Sequence, residues 1–140
     1  MPTDPITTGI HHVGLTVPDL DRARGFFVDV LGFRQVGEKP DYPAVFVTDG
    51  HTLITLWRAQ DPQHAVPFDR KNVIGLHHLA LRVAAADLDR LHGTLAAAQE
   101  VDVEFAPTPL GGGPTRHMMC RIPGGIRVEF IAPGAASGKG

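Results

Sequence analysis

An internal repeat constrains the fold of this 140-residue chain more than any other feature of its sequence. The first copy, residues 9–23, is GIHHVGLTVPDLDRA, and the second, residues 75–91, is GLHHLALRVAAADLDRL. Both copies carry a pair of histidines, then alternating apolar residues, and then Asp-Leu-Asp-Arg. A repeat of this kind predicts two similar modules that bury their apolar surfaces in the same way.

Composition and charge restrict the partners of the chain. Apolar residues make up 43% of it and the formal net charge is -2, so we expect one domain over residues 1–140 without the basic surface that nucleic acid requires. No apolar run approaches the length of a membrane span. The one cysteine, Cys120, excludes an internal disulfide, and the first residues lack the features of a signal peptide. We therefore expect a cytoplasmic protein that contacts neither nucleic acid nor membranes.

The first repeat opens a predicted β-α-β-β-β module over residues 9–58. A half-buried strand is predicted from Ile10 to Val17, because Val13, Leu15 and Val17 alternate with His12, Gly14 and Thr16. Asp19 stands where a helix N-cap belongs, and Gly32 stands where that helix should end. Three short strands are predicted next, over residues 33–37, 44–48 and 52–57, with Asp49-Gly50 as the turn between the last two.

The second repeat opens a similar module, predicted over residues 75–133. Its first strand is expected over residues 76–83, and its helix begins after Asp87, the predicted N-cap. The remaining strands are predicted over residues 101–105, 116–122 and 126–132, with a loop rich in proline and glycine over 107–114. Residues 59–74 are predicted to be a linker or lid, and residues 134–140 a disordered tail.

Strand parity selects one histidine from each pair. His12 and His78 alternate with the apolar residues of their strands, so each is expected on the face that its helix leaves open. His11 and His77 are then expected on the helix side, in structural hydrogen bonds. We expect the two open faces to line a shared concavity.

Glu129 completes a set of residues suited to a metal ion. It is a carboxylate between apolar residues of the last strand, and burying it without a cation or hydrogen-bond donors is costly. Aligning the hairpin turns of the two modules gives it Thr55, a poor ligand, as its counterpart. Two histidines and one carboxylate form the facial triad that binds a divalent cation and leaves positions open for substrate. The alternative is that the histidines hydrogen-bond the backbone and that Glu129 pairs with Arg127 or Arg82.

Three segments of the chain resemble one known family. They are HVGLTVPDLDRARGFFVDVLGF from His12, HLALRV from His78 and PGGIRVEF from Pro123. These segments are similar to the glyoxalase, bleomycin-resistance and extradiol dioxygenase proteins, the vicinal oxygen chelate superfamily. The resemblance implies an α+β fold in which two tandem βαβββ modules form a curved, cup-shaped mixed sheet around a central cavity. It also implies a homodimer and a metal site whose ligands are His12, His78 and Glu129.

The resemblance implies one bound divalent metal ion, and zinc, nickel, cobalt, manganese and iron(II) are all open. In the family the cation holds two neighbouring oxygens of a small-molecule substrate and stabilises negative charge on them. A glyoxalase-like lyase or isomerase is the leading hypothesis. A ring-cleaving extradiol dioxygenase and a metal-free binding protein like the bleomycin-resistance members are the alternatives.

Departures from the family patterns separate these hypotheses. Glyoxalase I enzymes that resemble this chain carry a glutamate or glutamine at the position of Thr55, which removes one ligand here. Extradiol dioxygenases carry a tyrosine at the position of Met119. Fosfomycin-resistance thiol transferases have a serine-rich, lysine-bearing loop, and this chain shows no clear counterpart.

Further side chains are candidates for catalysis and substrate binding. For a proton shift or an elimination, the base is expected to be Glu129 itself or His117. Residues expected to line the pocket are Thr55, Trp57, Arg82 and Arg116, with Arg82 as an anion anchor. The register of the last hairpin, which the sequence leaves open, decides which of Arg116, Met118 and Cys120 face inward.

Overall fold

The computed structural model of the chain describes residues 4–134. They form two compact units, a first unit that ends at Gln63 and a second unit that begins at His64. A short 3-10 turn, Pro62–His64, contains the division, which falls within the segment 59–74. Each unit carries one copy of the repeat.

The first unit is a four-stranded mixed sheet with a helix. Its elements are β1 (His12–Val17), α1 (Leu20–Gly25), β2 (Arg34–Lys39), β3 (Ala44–Thr48) and β4 (Leu53–Arg58). The strands are ordered β1-β4-β3-β2; β1 runs parallel to β4, and the other neighbours are antiparallel. This is the predicted β-α-β-β-β order.

Local sequence explains where the first helix begins and ends. The Asp19 carboxylate accepts a hydrogen bond from the backbone N–H of Arg22 at 3.0 Å, so the predicted N-cap is confirmed. α1 continues directly into a π-helical turn, Phe26–Val30. Gly32 then adopts a left-handed φ of 83°, which lets the chain reverse toward β2.

The predicted turn between β3 and β4 is also confirmed. Oδ1 of Asp49 accepts hydrogen bonds from the backbone N–H groups of His51 at 2.8 Å and Thr52 at 2.7 Å. Gly50 has a left-handed φ of 94°, which a residue with a side chain rarely adopts. The turn therefore holds β4 in register with β3.

The second unit repeats this architecture. Its elements are β5 (Leu79–Arg82), α2 (Leu88–Ala97), β6 (Asp102–Pro109), β7 (Arg116–Arg121) and β8 (Arg127–Ala132). The strands are ordered β5-β8-β7-β6, again with the first strand parallel to the last and the other neighbours antiparallel. Over residues 4–134 the chain is thus an α+β protein of two four-stranded mixed sheets, each with its helix.

Asp87 directly precedes α2 as predicted, but its side chain does not cap the helix. Asp87 has the φ and ψ of a right-handed helix and makes no capping hydrogen bond. A 3-10 turn, Ala85–Asp87, precedes α2 instead, and the backbone N–H of Asp87 donates to the carbonyl of Ala84. The second repeat has two extra residues before Asp-Leu-Asp-Arg, and this turn accommodates them.

The predicted loop 107–114 is partly strand. β6 extends through Pro109, and Pro109 is paired with Arg116 of β7. Prolines are tolerated there because β6 is an edge strand and its register shifts twice along β7. The connection is therefore shorter than the sequence predicted.

Alternation along the strands decides which side chains are buried. In β1, Leu15 and Val17 are buried whereas His12 is exposed, as strand parity predicted. β8 differs, because Arg127 and Glu129 are buried together with the apolar residues. Two charged groups in one buried strand need specific partners.

The described chain ends in an ordered contact. The backbone N–H of Gly134 donates to Oγ1 of Thr115 at 3.1 Å. The other residues of the predicted tail, 135–140, lie outside the described residues. Within residues 4–134, none of the helices has the length and apolarity needed to cross a bilayer.

Candidate functional site

Glu129 lies at the centre of a polar cluster in the second unit. It stands in the middle of β8, which β5 and β7 flank. Pairing places it beside Ala80 of β5 and Met119 of β7. Only 8% of Glu129 is exposed, so its carboxylate depends on partners within the fold.

Two histidines supply those partners, one to each carboxylate oxygen. Nε2 of His78 lies 3.0 Å from Oε1 of Glu129. Nδ1 of His117 lies 2.6 Å from Oε2. The structure thus brings together three of the residues that the sequence singled out, in a cluster built entirely from the second unit.

The register of the last hairpin explains how His117 reaches Glu129. His117 is paired with Ile131, two residues beyond Glu129 on β8, so both side chains lie on one face of the sheet. The ring of Phe105 packs edge-on against the His117 ring with centroids 5.0 Å apart. His117 is therefore held in place by both a carboxylate and an aromatic ring.

This hydrogen bond also fixes the protons on His117. An ionised carboxylate only accepts, so Nδ1 of His117 carries the proton and donates it to Glu129. In the neutral ring, Nε2 is then left as a proton acceptor. A histidine oriented in this way by a carboxylate has the arrangement of a general base.

Arg127 contacts His78 through His77. A guanidinium only donates, so Nδ1 of His77, at 3.3 Å from the Nη1 atom of Arg127, faces it as an acceptor. Nδ1 of His78 lies 2.8 Å from the same nitrogen, and it donates to it in the tautomer of His78 that carries its proton on Nδ1. Desolvation first, and then the positive charge of Arg127, lower the pKa of His77, which favours this neutral acceptor form.

The tautomer leaves two lone pairs facing each other at the candidate site. With the proton of neutral His78 on Nδ1, Nε2 presents its lone pair to Oε1 of Glu129 at 3.0 Å. Two such atoms repel each other unless a cation, a proton or a metal ion, lies between them. Imidazole nitrogen and carboxylate oxygen are both donors that divalent cations accept in proteins. His78 and Glu129 are therefore the pair that would hold a metal ion here.

The structure does not collect a complete ligand set. Within residues 4–134, no group of three or more histidine, cysteine, aspartate or glutamate side chains is arranged to hold a metal ion. His78 and Glu129 provide two adjacent donors, and His117 takes the second carboxylate oxygen for a hydrogen bond. The predicted third ligand, His12, belongs to the first unit.

Arg127 has its own partner and is not the partner of Glu129. Its Nε donates to Oε2 of Glu104 at 2.8 Å and its Nη2 to Oε1 at 3.3 Å, a two-pronged ion pair. The hydrogen bond from Arg127 is the main reason that the pKa of Glu104 lies below its ordinary value. Glu104 thus neutralises the buried arginine beside the histidine pair.

The first unit carries His12, Thr55 and Trp57 on one face of its sheet. Gly14 pairs with Thr55 as Ala80 pairs with Glu129, so Thr55 and Glu129 hold equivalent places in the two units. The indole N–H of Trp57 donates to Oγ1 of Thr55 at 2.8 Å. His12 is exposed, and its Nδ1 lies 2.9 Å from Nδ1 of His11, which repeats the contact of the second histidine pair.

Two arginines that the sequence named for substrate binding have different surroundings. Arg82 is exposed at the end of β5 and shares a face with Ala80, the neighbour of Glu129. Arg116 lies on the same side of β7 as the buried Met118 and forms a two-pronged ion pair with Asp89 of α2 at 3.1 and 3.3 Å. The register therefore directs Arg116 toward the helix side, away from His117.

A separate cleft of about 680 Å³ opens in the first unit, between the start of α1 and the residues that follow β4. Asp19, Arg58 and Asp61 are among its lining residues. It includes none of the residues that the sequence proposed for catalysis or metal binding.

The sequence missed the ion pair of Glu104 with Arg127 and its link to the histidines. Parity did place Arg127 on the face of Glu129, but it offered no way to choose between Glu104 and Glu129 as the partner. It also placed His77 on the helix side, whereas β5 begins only at Leu79 and the His77 ring contacts Arg127. Long-range contacts of this kind leave no signal in local periodicity.

Residues 9–130 match the model of one protein family, the Glyoxalase/Bleomycin resistance protein/Dioxygenase superfamily. The chain belongs to this superfamily. The matched region spans both units and contains the histidine pairs and Glu129. Membership confirms the resemblance noted in the sequence and agrees with the two βαβββ sheets.

Individual superfamily members resemble the chain to different extents. Mitochondrial methylmalonyl-CoA epimerase of Bos taurus is 36% identical over 81 residues, which cover 53% of this chain and 46% of that protein. The 2-epi-5-epi-valiolone epimerase of an Actinomyces species is 29% identical over 149 residues, covering 91% of this chain and 80% of that one. The chain thus spans less than half the length of the first relative and most of the second.

A solved structure extends the likeness to the fold. The crystal structure of lactoylglutathione lyase from Agrobacterium tumefaciens superimposes with a TM-score of 0.67 and 26% sequence identity. The superposition covers 93% of this chain and 97% of the lyase. Catechol-2,3-dioxygenase of Bacillus subtilis is 34% identical over 89 residues, which cover 58% of this chain and 31% of that protein. Proteins similar to this chain therefore include epimerases, a lyase and a dioxygenase.

Proposed function

We propose that this superfamily member is a metal-dependent isomerase or lyase in which a divalent cation, bound by His78 and Glu129, chelates neighbouring oxygens of a small substrate. The approach of His78 Nε2 to the buried Glu129 Oε1 at 3.0 Å carries this proposal, because an imidazole nitrogen and a carboxylate oxygen this close together are donors that one divalent cation can bind. His12, which stands in the first repeat where His78 stands in the second, is the proposed third ligand. Zinc, nickel, cobalt, manganese and iron(II) are the candidate ions.

The bound cation would supply electrostatic stabilisation of negative charge that develops on the substrate oxygens. His117 is the proposed base. Its Nδ1–H donates to Glu129, which orients the ring and leaves Nε2 to take a proton from the carbon beside those oxygens. Glu129 then stabilises the imidazolium that forms. Delivery of that proton to the neighbouring carbon completes an isomerisation, and departure of a leaving group that takes the proton from His117 completes an elimination.

The kinds of relatives support a proton shift. Two proteins that resemble the chain are epimerases, and removal and return of a proton is one route by which an epimerase inverts a carbon centre. A histidine–carboxylate pair beside a cation suits that chemistry. The lyase structure gives weaker support to the same class of reaction, since its likeness to this chain lies mainly in the fold.

Deuterium exchange tests this proposal before the true substrate is known. The metal-loaded protein is incubated in D₂O with methylmalonyl-CoA, 2-epi-5-epi-valiolone or lactoylglutathione, and mass spectrometry follows the substrate. Deuterium is expected to enter at least one of them, and His117→Gln is expected to stop the exchange. Oxygen consumption with catechol and iron(II), without exchange in any of the three, would show a dioxygenase instead. Tight binding without exchange or oxygen consumption would show a binding protein.

We also propose that the protein acts as a homodimer, on the strength of its superfamily membership. Sedimentation equilibrium is expected to give twice the 15.0 kDa mass of the chain. A mass that stays at the monomer value at micromolar concentration would contradict this proposal.

A further inference from the structure

We propose that Arg70 and Arg121 of the second unit bind an anionic group of the substrate, a carboxylate or a phosphate, next to the Glu129 site. The identity of the anion as part of a substrate rests on the proposed function, whereas the anion site itself rests on the geometry below. The substrate class would then be a small molecule with one carboxylate or phosphate near its chelating oxygens.

Three guanidinium groups converge on one carboxylate at this place. Glu104 receives Arg127 at 2.8 Å, Arg121 at 3.5 Å and Arg70 at 3.8 Å. Only Arg127 makes hydrogen bonds of normal length with it; the other two lie at ion-pair distance. Among the described residues, Arg70 and Arg121 therefore direct donors at the carboxylate of Glu104 without a hydrogen bond to it.

The charges in this cluster do not balance. Arg121 and Arg127 are directly opposite each other across β7 and β8, an arrangement of like charges that destabilises a sheet. Glu104 compensates one positive charge and Asp102, the cross-strand neighbour of Arg121 on β6, compensates a second, so one of the three guanidinium charges remains in excess. Guanidinium forks match the geometry of carboxylates and phosphates, and an anion from solution would compensate the excess.

Exposure separates the structural arginine from the two binding arginines. The Arg127 side chain is 7% exposed and is fixed by Glu104 and His77. The side chains of Arg121 and Arg70 are 48% and 30% exposed, so solvent anions can reach them. Arg121 also shares a face of β7 with His117, the proposed base.

A chain of contacts connects this cluster to the candidate metal ligands. Arg127 contacts His77, His77 contacts His78, and His78 contacts Glu129, at 3.3, 2.8 and 3.0 Å. One histidine thus separates the arginine cluster from the proposed ligand His78. An anionic group of the substrate held there would leave the chelating oxygens of the same molecule facing Glu129.

Anion binding is measured on full-length protein stripped of metal, so that the result does not depend on the proposed function. Inorganic phosphate and succinate are titrated at low ionic strength, and binding is followed by chemical shift changes of backbone amides. Arg121→Gln and Arg70→Gln are each expected to weaken binding by about threefold to tenfold. Arg121→Lys, which keeps the charge but loses the fork, is expected to weaken carboxylate binding less than Arg121→Gln. Arg90→Gln is the matched control, because Arg90 pairs with Asp87 at the start of α2.

Glu104→Gln is expected to strengthen anion binding, the opposite of the arginine variants. It removes the internal carboxylate that competes for the arginines, so phosphate is expected to bind several-fold more tightly. Equal affinities in the wild type, Arg121→Gln and Arg70→Gln would overturn the proposal, as would an equal loss in Arg90→Gln. Anion binding without metal binding would refute the proposed function alone, and metal binding with unchanged anion affinity in the variants would refute the anion site alone.

Discussion

His117 and Glu129 form a hydrogen bond of 2.6 Å across β7 and β8, and the other oxygen of the same carboxylate faces Nε2 of His78 at 3.0 Å. One buried carboxylate thus connects a proposed base to a proposed metal ligand. Substitutions of the two histidines should therefore have different effects. Loss of His78 is expected to weaken metal binding, and loss of His117 is expected to slow proton transfer.

His117→Gln is expected to lower kcat by about 10²–10⁴-fold, the usual contribution of a general base. The variant should keep its bound metal, because His117 contacts only the second oxygen of Glu129. Steady-state kinetics together with metal analysis check both parts. His51→Gln, in the exposed turn between β3 and β4, is the control and should leave both unchanged. Loss of metal from His117→Gln would contradict its assignment as a base.

Glu104→Gln is expected to lower the free energy of unfolding by about 2 kcal/mol, because it leaves the buried guanidinium of Arg127 without its counter-charge. Urea unfolding at pH 7 measures the change. Glu38→Gln on the exposed side of β2 is the control, with an expected change within about 0.5 kcal/mol.

The lowered pKa of Glu104 makes the stability of the fold depend on pH. Arg127 holds the pKa of Glu104 below its ordinary value of 4.5, so the ion pair stabilises the fold at pH values above 4.5. That stabilisation is lost as the pH falls through the lowered pKa of the folded state. The difference in unfolding free energy between the wild type and Glu104→Gln should therefore shrink in acid. A difference in unfolding free energy that stays constant from pH 7 to pH 3 would contradict the role of Glu104 as the counter-charge of Arg127.

Gly14→Ala and Gly93→Ala are expected to change stability in opposite directions. A Cβ on Gly14 would lie 3.1 Å from Oγ1 of Thr55, and it would disturb the hydrogen bond from Trp57 at a cost of about 1 kcal/mol. A Cβ on Gly93, inside α2, meets no atom within 4 Å and should stabilise by about 0.5–1 kcal/mol. Thermal unfolding measures both. The fluorescence of Trp57, the single tryptophan, should shift only in Gly14→Ala.

Cys120 is expected to react slowly in the folded protein. Its side chain is fully buried, and desolvation raises the pKa of the thiol to about 12. Iodoacetamide at pH 8 should therefore modify it much faster in urea than in buffer. The buried Cys120 thiol favours its neutral form, so its contribution to the stability of the fold is complete at pH values below 9.0, the ordinary pKa of the thiol. That contribution is lost as the pH rises toward 12, because the thiol ionises more readily in the unfolded chain. Cys120→Ala should show a smaller loss of stability over that interval than the wild type.

The repeat and strand parity predicted most of the fold. Alternation from Ile10 to Val17 predicted β1 and placed His12 on the face opposite its apolar residues, and Asp19 predicted the start of α1, because both depend on neighbouring residues alone. The cap at Asp87 failed because an identical Asp-Leu-Asp-Arg follows a different turn. Local sequence does not distinguish a cap from a 3-10 residue when the preceding backbone differs.

The candidate site was predictable only in part. Parity placed Glu129 and His78 on the open face. The alignment of the two hairpin turns gave Thr55 and Glu129 equivalent positions in the two modules. The side of β7 on which His117 lies depends on register, which the hairpin turn and the core decide together. The ion pair of Arg127 with Glu104 joins β8 to β6 across β7, and the two residues are 23 positions apart in the sequence, so no local pattern could reveal it.

Metal content tests the central claim most directly. The full-length protein, His78→Ala, Glu129→Gln and the control His51→Ala are loaded separately with zinc, nickel, cobalt, manganese or iron(II), desalted and examined by elemental analysis. The wild type and His51→Ala should each retain about one ion per chain for at least one of these metals, whereas His78→Ala and Glu129→Gln should retain far less. A wild-type protein that retains no metal, or a His78→Ala variant that retains as much as the wild type, would contradict the proposed site.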